Sequence, residues 1–412
     1  AFEIAIGSLL KGRQCPHRAS TVIVFNINRL KYFNDTYGHQ QGDALLIQVA
    51  ERVKKILRPN ELLARTGSDE FALMVIDLHD SQVAFNIAKR IISSLSKPFL
   101  IEGTSLQLTV SVGIAVHYSN GMPARSLLKN ANIALHKSKQ LGQNKISYFS
   151  QRLYKKFTQQ YLMEEKLRQA IPKSQFELKY QPFISLIGGA VGCEALLRWQ
   201  DPESGLVNNA KYIKIAEQSD LILIIGQWII EQVCQQISQW QLKPPFFVSI
   251  NVSASQLKFQ EFSVFLEKML KQYRVPPEVI MIEVTETALL SEIPEVFENM
   301  NKLAAIGCRI ALDDFGTGFS SIQHLRLFPI SAVKIDKSLT QNYSSDLKTK
   351  QLFEALMVML NTLELATIVE GIETEEQLQT CRMLNAWCCQ GFYFDEALSA
   401  MAFSAKYLID AS

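Results

Sequence analysis

The chain has 412 residues, 48% of them hydrophobic and 20% charged, with 42 basic against 40 acidic side chains and a net charge of +2. That length exceeds one ordinary core and predicts two globular domains, while the balanced charge leaves no basic stripe for duplex nucleic acid. The longest apolar run, Leu221–Ile230, is far short of the ~20 residues that span a bilayer, so a soluble protein with a small ligand is expected.

No signal peptide opens the chain, and it begins at Ala1 rather than Met. It therefore reads as a fragment, cytoplasmic or tethered to a membrane through a missing upstream sensory region. Seven cysteines without CxxC spacing argue for neither a disulfide framework nor a zinc site. The adjacent pair Cys388–Cys389 flags redox sensitivity and nothing more.

Residues 20–33 open on a buried strand, TVIVFNI, that runs into a polar turn. The next segment sets Leu45, Leu46, Val49 and Val53 on one helical face. Leu62–Arg65, a tight Gly67-Ser68 turn and Phe71–Ile76 predict a β-hairpin. A helix over Ser81–Leu95, a strand over Gln107–Val116 and a helix over Arg125–Lys139 complete an α+β domain, residues 1–150. Residues 151–170 lack Gly and Pro and carry Leu153, Phe157, Tyr161 and Leu167 at helical spacing, which predicts a connecting helix.

From 171 to 412 short apolar runs alternate with helical stretches. The runs are Phe176–Tyr180, Ala190–Cys193, Phe246–Ile250, Val279–Ile282, Cys308–Leu312, Ala332–Val333, Ala366–Val369 and Gly391–Phe394. Their number and spacing predict a parallel (β/α)8 barrel of the TIM type. Polar residues stand where these runs stop: Glu194, Asn251, Glu283, Asp313 with Asp314, Lys334 and Glu370, while Gln390 opens the last. Alone, a strand-end acid is better explained as a helix cap or a surface ion pair. Several carboxylates converging on one dry rim need cations to stay ionised together. An all-oxygen set without His or Cys selects Mg²⁺ or Mn²⁺, and adjacent Asp313-Asp314 suits two ions, the usual apparatus for in-line phosphodiester hydrolysis.

Glu194-Ala195-Leu196 with Arg198, Asn251 in SINVSASQL, Glu283 and Glu286 in IEVTET, DDFGTGFSS at 313–321, KID at 334–336, EGIE at 370–373 and QGFYF at 390–394 form an ordered series. With it the segment from 170 to 400 resembles the EAL family of cyclic di-GMP phosphodiesterases. The resemblance implies a first metal on Glu194, Asn251, Glu283 and Asp313, with Asp314 and Glu370 on or near a second. It implies a water activated by Glu370 and Lys334, and a linear product, pGpG. Gln181, Arg198, Asp336 and Gln390 would face cyclic di-GMP, and Glu286 would anchor the loop carrying Gly316 and Gly318. Glu373 would be structural. The chain departs from the family at Asn385-Ala386-Trp387, at Glu396-Ala397 and near Asn209, where a Pro is usual. These changes bear on substrate fit and dimer contacts more than on catalysis.

The first domain resembles the GGDEF family, the diguanylate cyclases, through FNINRLKYFND, GHQQGD and RTGSDEFALMV. That implies a ferredoxin-like or palm-like fold, with Asn34 and Asp43 at the guanine and Lys139 at phosphate. The family's opening block is not recognisable before Gly12. Ser68 replaces the second Gly of the signature, and Asn26 stands where cyclases place an Asp that pairs with the Asp69 position on two Mg²⁺. A neutral amide removes charge needed against a triphosphate, so an inactive cyclase fold is expected, with GTP binding at its pocket left open. Asn28, Asn132 and Gln143 replace residues usually charged, and the inhibitory RxxD pattern reads Arg58-Pro59-Asn60-Glu61. The expected function is thus hydrolysis of cyclic di-GMP with a regulatory first domain. The alternative is a cyclic di-GMP receptor without turnover; a bifunctional protein is disfavoured by Asn26. A homodimer through the barrels is a further implication of the resemblance.

Overall fold

The computed structural model describes residues 20–58, 61–76, 78, 80–101, 103–117, 124–289, 294–316, 322–341, 343 and 346–408. Gly12, Pro59, Asn60 and residues 317–321 of the DDFGTGFSS segment lie outside the described residues. Contacts divide the chain into two compact units, Ala1–Tyr161 and Leu162–Ser412.

In the first unit the elements are β1 (Ser20–Ile27), α1 (Leu30–Tyr37), α2 (His39–Lys54), β2 (Glu61–Arg65), β3 (Glu70–Ile76), α3 (Ser81–Leu95), β4 (Phe99–Ile101), β5 (Thr104–Leu106), β6 (Val110–His117), α4 (Ala124–Gln140) and β7 (Ile146–Tyr148). Helix α5 (Gln151–Ala170) contains the division between the units. The main sheet runs β2-β3-β1-β6-β7, antiparallel except for the β6–β7 pair. β1 is apolar at successive positions because both its faces are covered. Ile23 and Phe25 pack with Leu45, Val49, Ile87 and Ile91, whereas Val22 and Val24 pack with Ala131 and Leu135.

The second unit continues with β8 (Phe176–Ser185), β9 (Ala190–Asp201), β10 (Gly205–Val207), α6 (Asn209–Glu217), α7 (Leu221–Trp240), β11 (Phe247–Asn251), α8 (Ala254–Leu257), α9 (Phe262–Tyr273) and β12 (Ile280–Thr285). Then come α10 (Glu286–Leu289), α11 (Pro294–Ile306), β13 (Arg309–Phe315), α12 (Ile322–Leu327), β14 (Ala332–Ile335), α13 (Lys337–Gln341) and α14 (Leu347–Thr362). β15 (Ala366–Val369), α15 (Glu375–Met383), β16 (Cys388–Cys389), β17 (Leu398–Ser399) and α16 (Ala400–Tyr407) complete it.

Eight strands close into a barrel: β9, β11, β12, β13, β14, β15 and β16 are parallel neighbours, and β8 joins β16 to β9. The expectation of an all-parallel barrel fails at β8, which is antiparallel to both neighbours. The physical reason is short reach. A parallel crossover needs a dozen or more residues, and only Leu186–Gly189 separate β8 from β9, with Gly188 and Gly189 at positive φ. The last strand also differs from expectation, being Cys388–Cys389, while Gly391–Phe394 forms a turn. An ideal Cβ on Gly391 would lie 2.0 Å from the Ile372 carbonyl oxygen, so the backbones approach there as only glycine allows.

Phe183, Phe247, Met281, Ala311, Ala332, Ile368 and Cys388 form an apolar plug across the barrel. Because strand side chains repeat every two residues, the next inward positions are Glu283, Asp313, Lys334, Glu370 and Gln390. The plug thus sets a dry floor directly beneath the polar rim. Helix α7 is, by length and composition, apolar enough to cross a membrane, longer than the run ending at Ile230 suggested. Its Ile230, Val233, Cys234 and Ile237 pack in the barrel's outer core, as a core helix does.

Candidate active site

Lys334 sits at the centre of the rim and is 1% exposed. Its Nζ donates to Glu283 Oε2 at 2.7 Å and lies 2.8 Å from Glu370 Oε1, 3.3 Å from Asp313 Oδ1 and 3.5 Å from Glu194 Oε2. One ammonium therefore gathers four carboxylates contributed by four strands. Asn251 Nδ2 donates to Glu194 Oε1 at 2.6 Å, and Gln390 Nε2 donates to Glu194 Oε2 at 3.0 Å and to Gln181 Oε1 at 3.0 Å. The parallel register explains this convergence: Asn251 pairs with Glu283 across β11 and β12, and Thr285 pairs with Asp313 across β12 and β13.

Electrostatics follow from burial against a single cation. Burial pushes the Glu283 carboxyl well up, with Glu194 and Asp313 reinforcing and Lys334 opposing. Burial also raises Glu370, to about 7, with Asp313 and Glu194 reinforcing and Lys334 opposing. For Glu194 burial is outweighed by Lys334 and by the Gln390 and Asn251 amides, which hold it below the usual range. Lys334 is held well above its usual value despite burial, because Asp313, Glu194, Glu283 and Glu370 all favour its charge. Asp314 is raised by burial first and then by Asp313 and Asp336. Its backbone is left-handed, φ +56°, at a break in the β13–β14 register, and its N–H donates to Asp313 Oδ1 at 2.9 Å. That bulge turns two consecutive carboxylates toward one region.

Four carboxyl groups share one ammonium, so the rim holds more acid than Lys334 can neutralise. Glu283 Oε1 is buried without a hydrogen-bond partner. Among the described residues no cluster of three acids, His or Cys is already gathered in ligating geometry. The donor set itself, all oxygen with an unpartnered carboxylate atom, fits a hard divalent cation.

Gln181, Glu194, Leu196, Asp313, Lys334, Lys337, Glu370, Glu373, Gln390 and Phe392 line a cavity of about 340 Å³. Sequence reasoning assigned no role to Lys337 or Phe392, although Phe392 stands two residues past Gln390 and is 68% exposed. Asn251 and Glu283 also border a second cavity of about 480 Å³ with Leu196, Ile213 and Ile229. Arg198 lies farther along β9 and donates from Nη1 to the Leu197 carbonyl at 2.9 Å, so it is not in the acid cluster. Near it, Asn209 donates to the same carbonyl at 2.9 Å and accepts from the Tyr212 hydroxyl at 3.1 Å, which gives this departure from the family a structural use. Asp336 caps α13, accepting from the Ser338 N–H at 2.9 Å. Glu286 is buried at the start of α10; Gly318, in the loop it is expected to anchor, falls outside the described residues.

In the first unit Asn26 is buried at the end of β1, opposite Glu70, and the Ile27 N–H donates to the Asp69 carbonyl at 3.0 Å. Asn28 is used structurally: it donates to Thr109 Oγ1 at 3.1 Å and accepts from Ser111 Oγ at 3.0 Å. Asn34 packs on Gly42, where a Cβ would meet its Oδ1 at 1.9 Å. Asp43 follows Gly42 in α2 and is exposed, as is Lys139 in the last turn of α4. Glu61, in the altered inhibitory pattern, accepts from the Arg58 N–H at 2.9 Å.

Residues 164–397 match the EAL domain model, and residues 1–145 match the model described as diguanylate cyclase, GGDEF domain. The cyclic di-GMP phosphodiesterase NbdA of Pseudomonas aeruginosa is 33% identical over all of this chain and 53% of its own length. The signaling protein YkoW of Bacillus subtilis is 34% identical over 96% of this chain and 50% of its own length. The chain thus spans about half the length of the curated relatives it matches. The solved PaMucR phosphodiesterase in complex with c-di-GMP is 30% identical, with a TM-score of 0.56 over 59% of this chain and 99% of that one.

Proposed function

Since the chain belongs to the family of proteins that carry a GGDEF and an EAL domain in tandem, we propose that its barrel hydrolyses cyclic di-GMP to linear pGpG. The observation that carries this is the ring of Glu194, Glu283, Asp313 and Glu370 around buried Lys334, with Glu283 Oε1 left unpartnered. Glu194, Asn251, Glu283, Asp313, Asp314 and Glu370 would hold two divalent cations, Mg²⁺ or Mn²⁺. Such ions supply Lewis acidity and neutralise charge on a phosphodiester. The chain's own residues do the rest. Glu370, raised to about 7, accepts a proton from the attacking water as its oxygen bonds to phosphorus; the P–O3′ bond breaks and the departing 3′-oxygen takes a proton from solvent. Lys334 balances the charge that builds on the phosphoryl oxygens. Gln181, Gln390, Arg198 and Asp336 orient the dinucleotide, and Glu286 fixes the loop after Asp313. A receptor without turnover is the second reading; the complete set of acids with Lys334 in place favours the enzyme.

We assign residues 1–150 to the first domain, 151–170 to the connecting helix and 171–412 to the barrel. Asn26 supports a cyclase fold without turnover, acting as a regulatory domain that binds GTP through Asn34, Asp43 and Lys139. Pairing of two barrels and a cytoplasmic location complete the proposal.

Two outcomes test it. Turnover is expected with Mg²⁺ or Mn²⁺ and not with Ca²⁺, whose 6–8 ligands at 2.3–2.6 Å displace the water from line of attack. Equal rates in Mg²⁺ and Ca²⁺, followed by chromatography of pGpG, contradict the mechanism. GTP given to the Glu194→Ala variant, in which hydrolysis cannot mask synthesis, should yield no cyclic di-GMP. Accumulation of the cyclic product would show that Asn26 does not disable the first domain.

A further inference from the structure

We propose that Asp395, held by the last helix, is a positioning residue that fixes the direction of the amides facing Glu194; this rests on the divalent-cation reading of the barrel. The Asp395 carboxylate accepts from Lys406 Nζ at 2.6 Å and from the Tyr407 hydroxyl, both on α16. Its backbone N–H returns to the Gly391 carbonyl at 3.3 Å, and its own carbonyl accepts from Gln181 Nε2 at 3.0 Å. Phe403, fully buried against Tyr180 and Trp240, seats the same helix on the barrel.

A carbonyl can only accept. It therefore obliges Gln181 to present Nε2 to Asp395 and Oε1 to Gln390. Gln390 must then present its own Nε2, and the second hydrogen of that group reaches Glu194 Oε2 at 3.0 Å. The order of donors is thus set from Asp395 inward. If the Asp395 segment loosens, Gln181 loses its fixed acceptor and both amides are free to turn over. A reversed Gln390 would aim its oxygen at the Glu194 carboxylate and repel it. Helix α16 thus reaches Glu194 through Asp395, Gln181 and Gln390. The relay lies beside Glu396-Ala397, where the chain departs from the family pattern.

The test measures Mn²⁺ affinity by calorimetry without nucleotide, together with thermal unfolding and the separate kcat and KM for cyclic di-GMP. Asp395→Ala should weaken Mn²⁺ about 10-fold, the lower end of what loss of an outer-shell partner costs. Asp395→Asn, which keeps an acceptor for Lys406 and Tyr407, should recover most of that affinity. Ser399→Ala removes the cap bond that Ala402 N–H makes to Ser399 Oγ at 3.3 Å. It should lower the melting temperature while leaving Mn²⁺ affinity and the KM as in the wild type. Wild-type Mn²⁺ affinity in Asp395→Ala, or an equal loss in Ser399→Ala, overturns the inference and leaves the phosphodiesterase proposal standing. A wild-type protein that binds no Mn²⁺ overturns both.

Discussion

Replacing Lys334 with Met should destabilise the barrel by about 3–5 kcal/mol, the cost of removing one partner from a buried ion pair. Met fills nearly the same volume, so the loss is charge rather than cavity. What remains is Glu283 and Glu370 without their bonds at 2.7 and 2.8 Å, with Glu194 and Asp313 close by. At roughly 2–4 °C per kcal/mol for a unit of this size, the melting temperature should fall by about 6–20 °C in the presence of a chelator. Turnover should be lost as well, since the ammonium that balances charge on the phosphoryl oxygens is gone. A Lys334→Met protein that melts with the wild type would mean that the four carboxylates do not depend on this ammonium.

Glu370→Gln should lower kcat by about 10²–10⁴-fold, the usual contribution of a positioned general base, with KM changed only a few-fold. The amide keeps size and one acceptor but takes no proton. Glu370 is the most open of the acids bonded to Lys334, at 21% side-chain exposure, which places it nearest an entering water. A variant that turns over at the wild-type rate would assign the proton to another group. A rise in KM alone would make Glu370 a binding residue.

Much of the barrel was legible because an apolar run that stops at a polar residue signals a strand reaching a rim. Asn251, Glu283, Lys334 and Glu370 stand out in this way. Glu194 does not obey that rule: the structure places it in the middle of a twelve-residue strand, Ala190–Asp201. It stands out because the apolar run Ala190–Cys193 stops there, although the strand goes on. The reversed strand β8 was within reach of the sequence, because the interval before Ala190 is too short for a crossover helix. The last strand was not, because two cysteines give little β signal and the aromatic run after Gly391 gives a stronger one. Lys334 as the shared partner of four acids, and Asp395 as the start of a donor relay, depend on contacts between residues far apart in sequence. Periodicity carries no information about such pairs.

One time course decides whether the barrel turns cyclic di-GMP over. Purified protein incubated with cyclic di-GMP and Mn²⁺ should convert it to linear pGpG, while Glu194→Ala, lacking the carboxylate that Asn251 and Gln390 hold, should leave it intact. Cyclic di-GMP bound tightly by the wild-type chain and recovered unchanged would contradict the account and make the barrel a receptor.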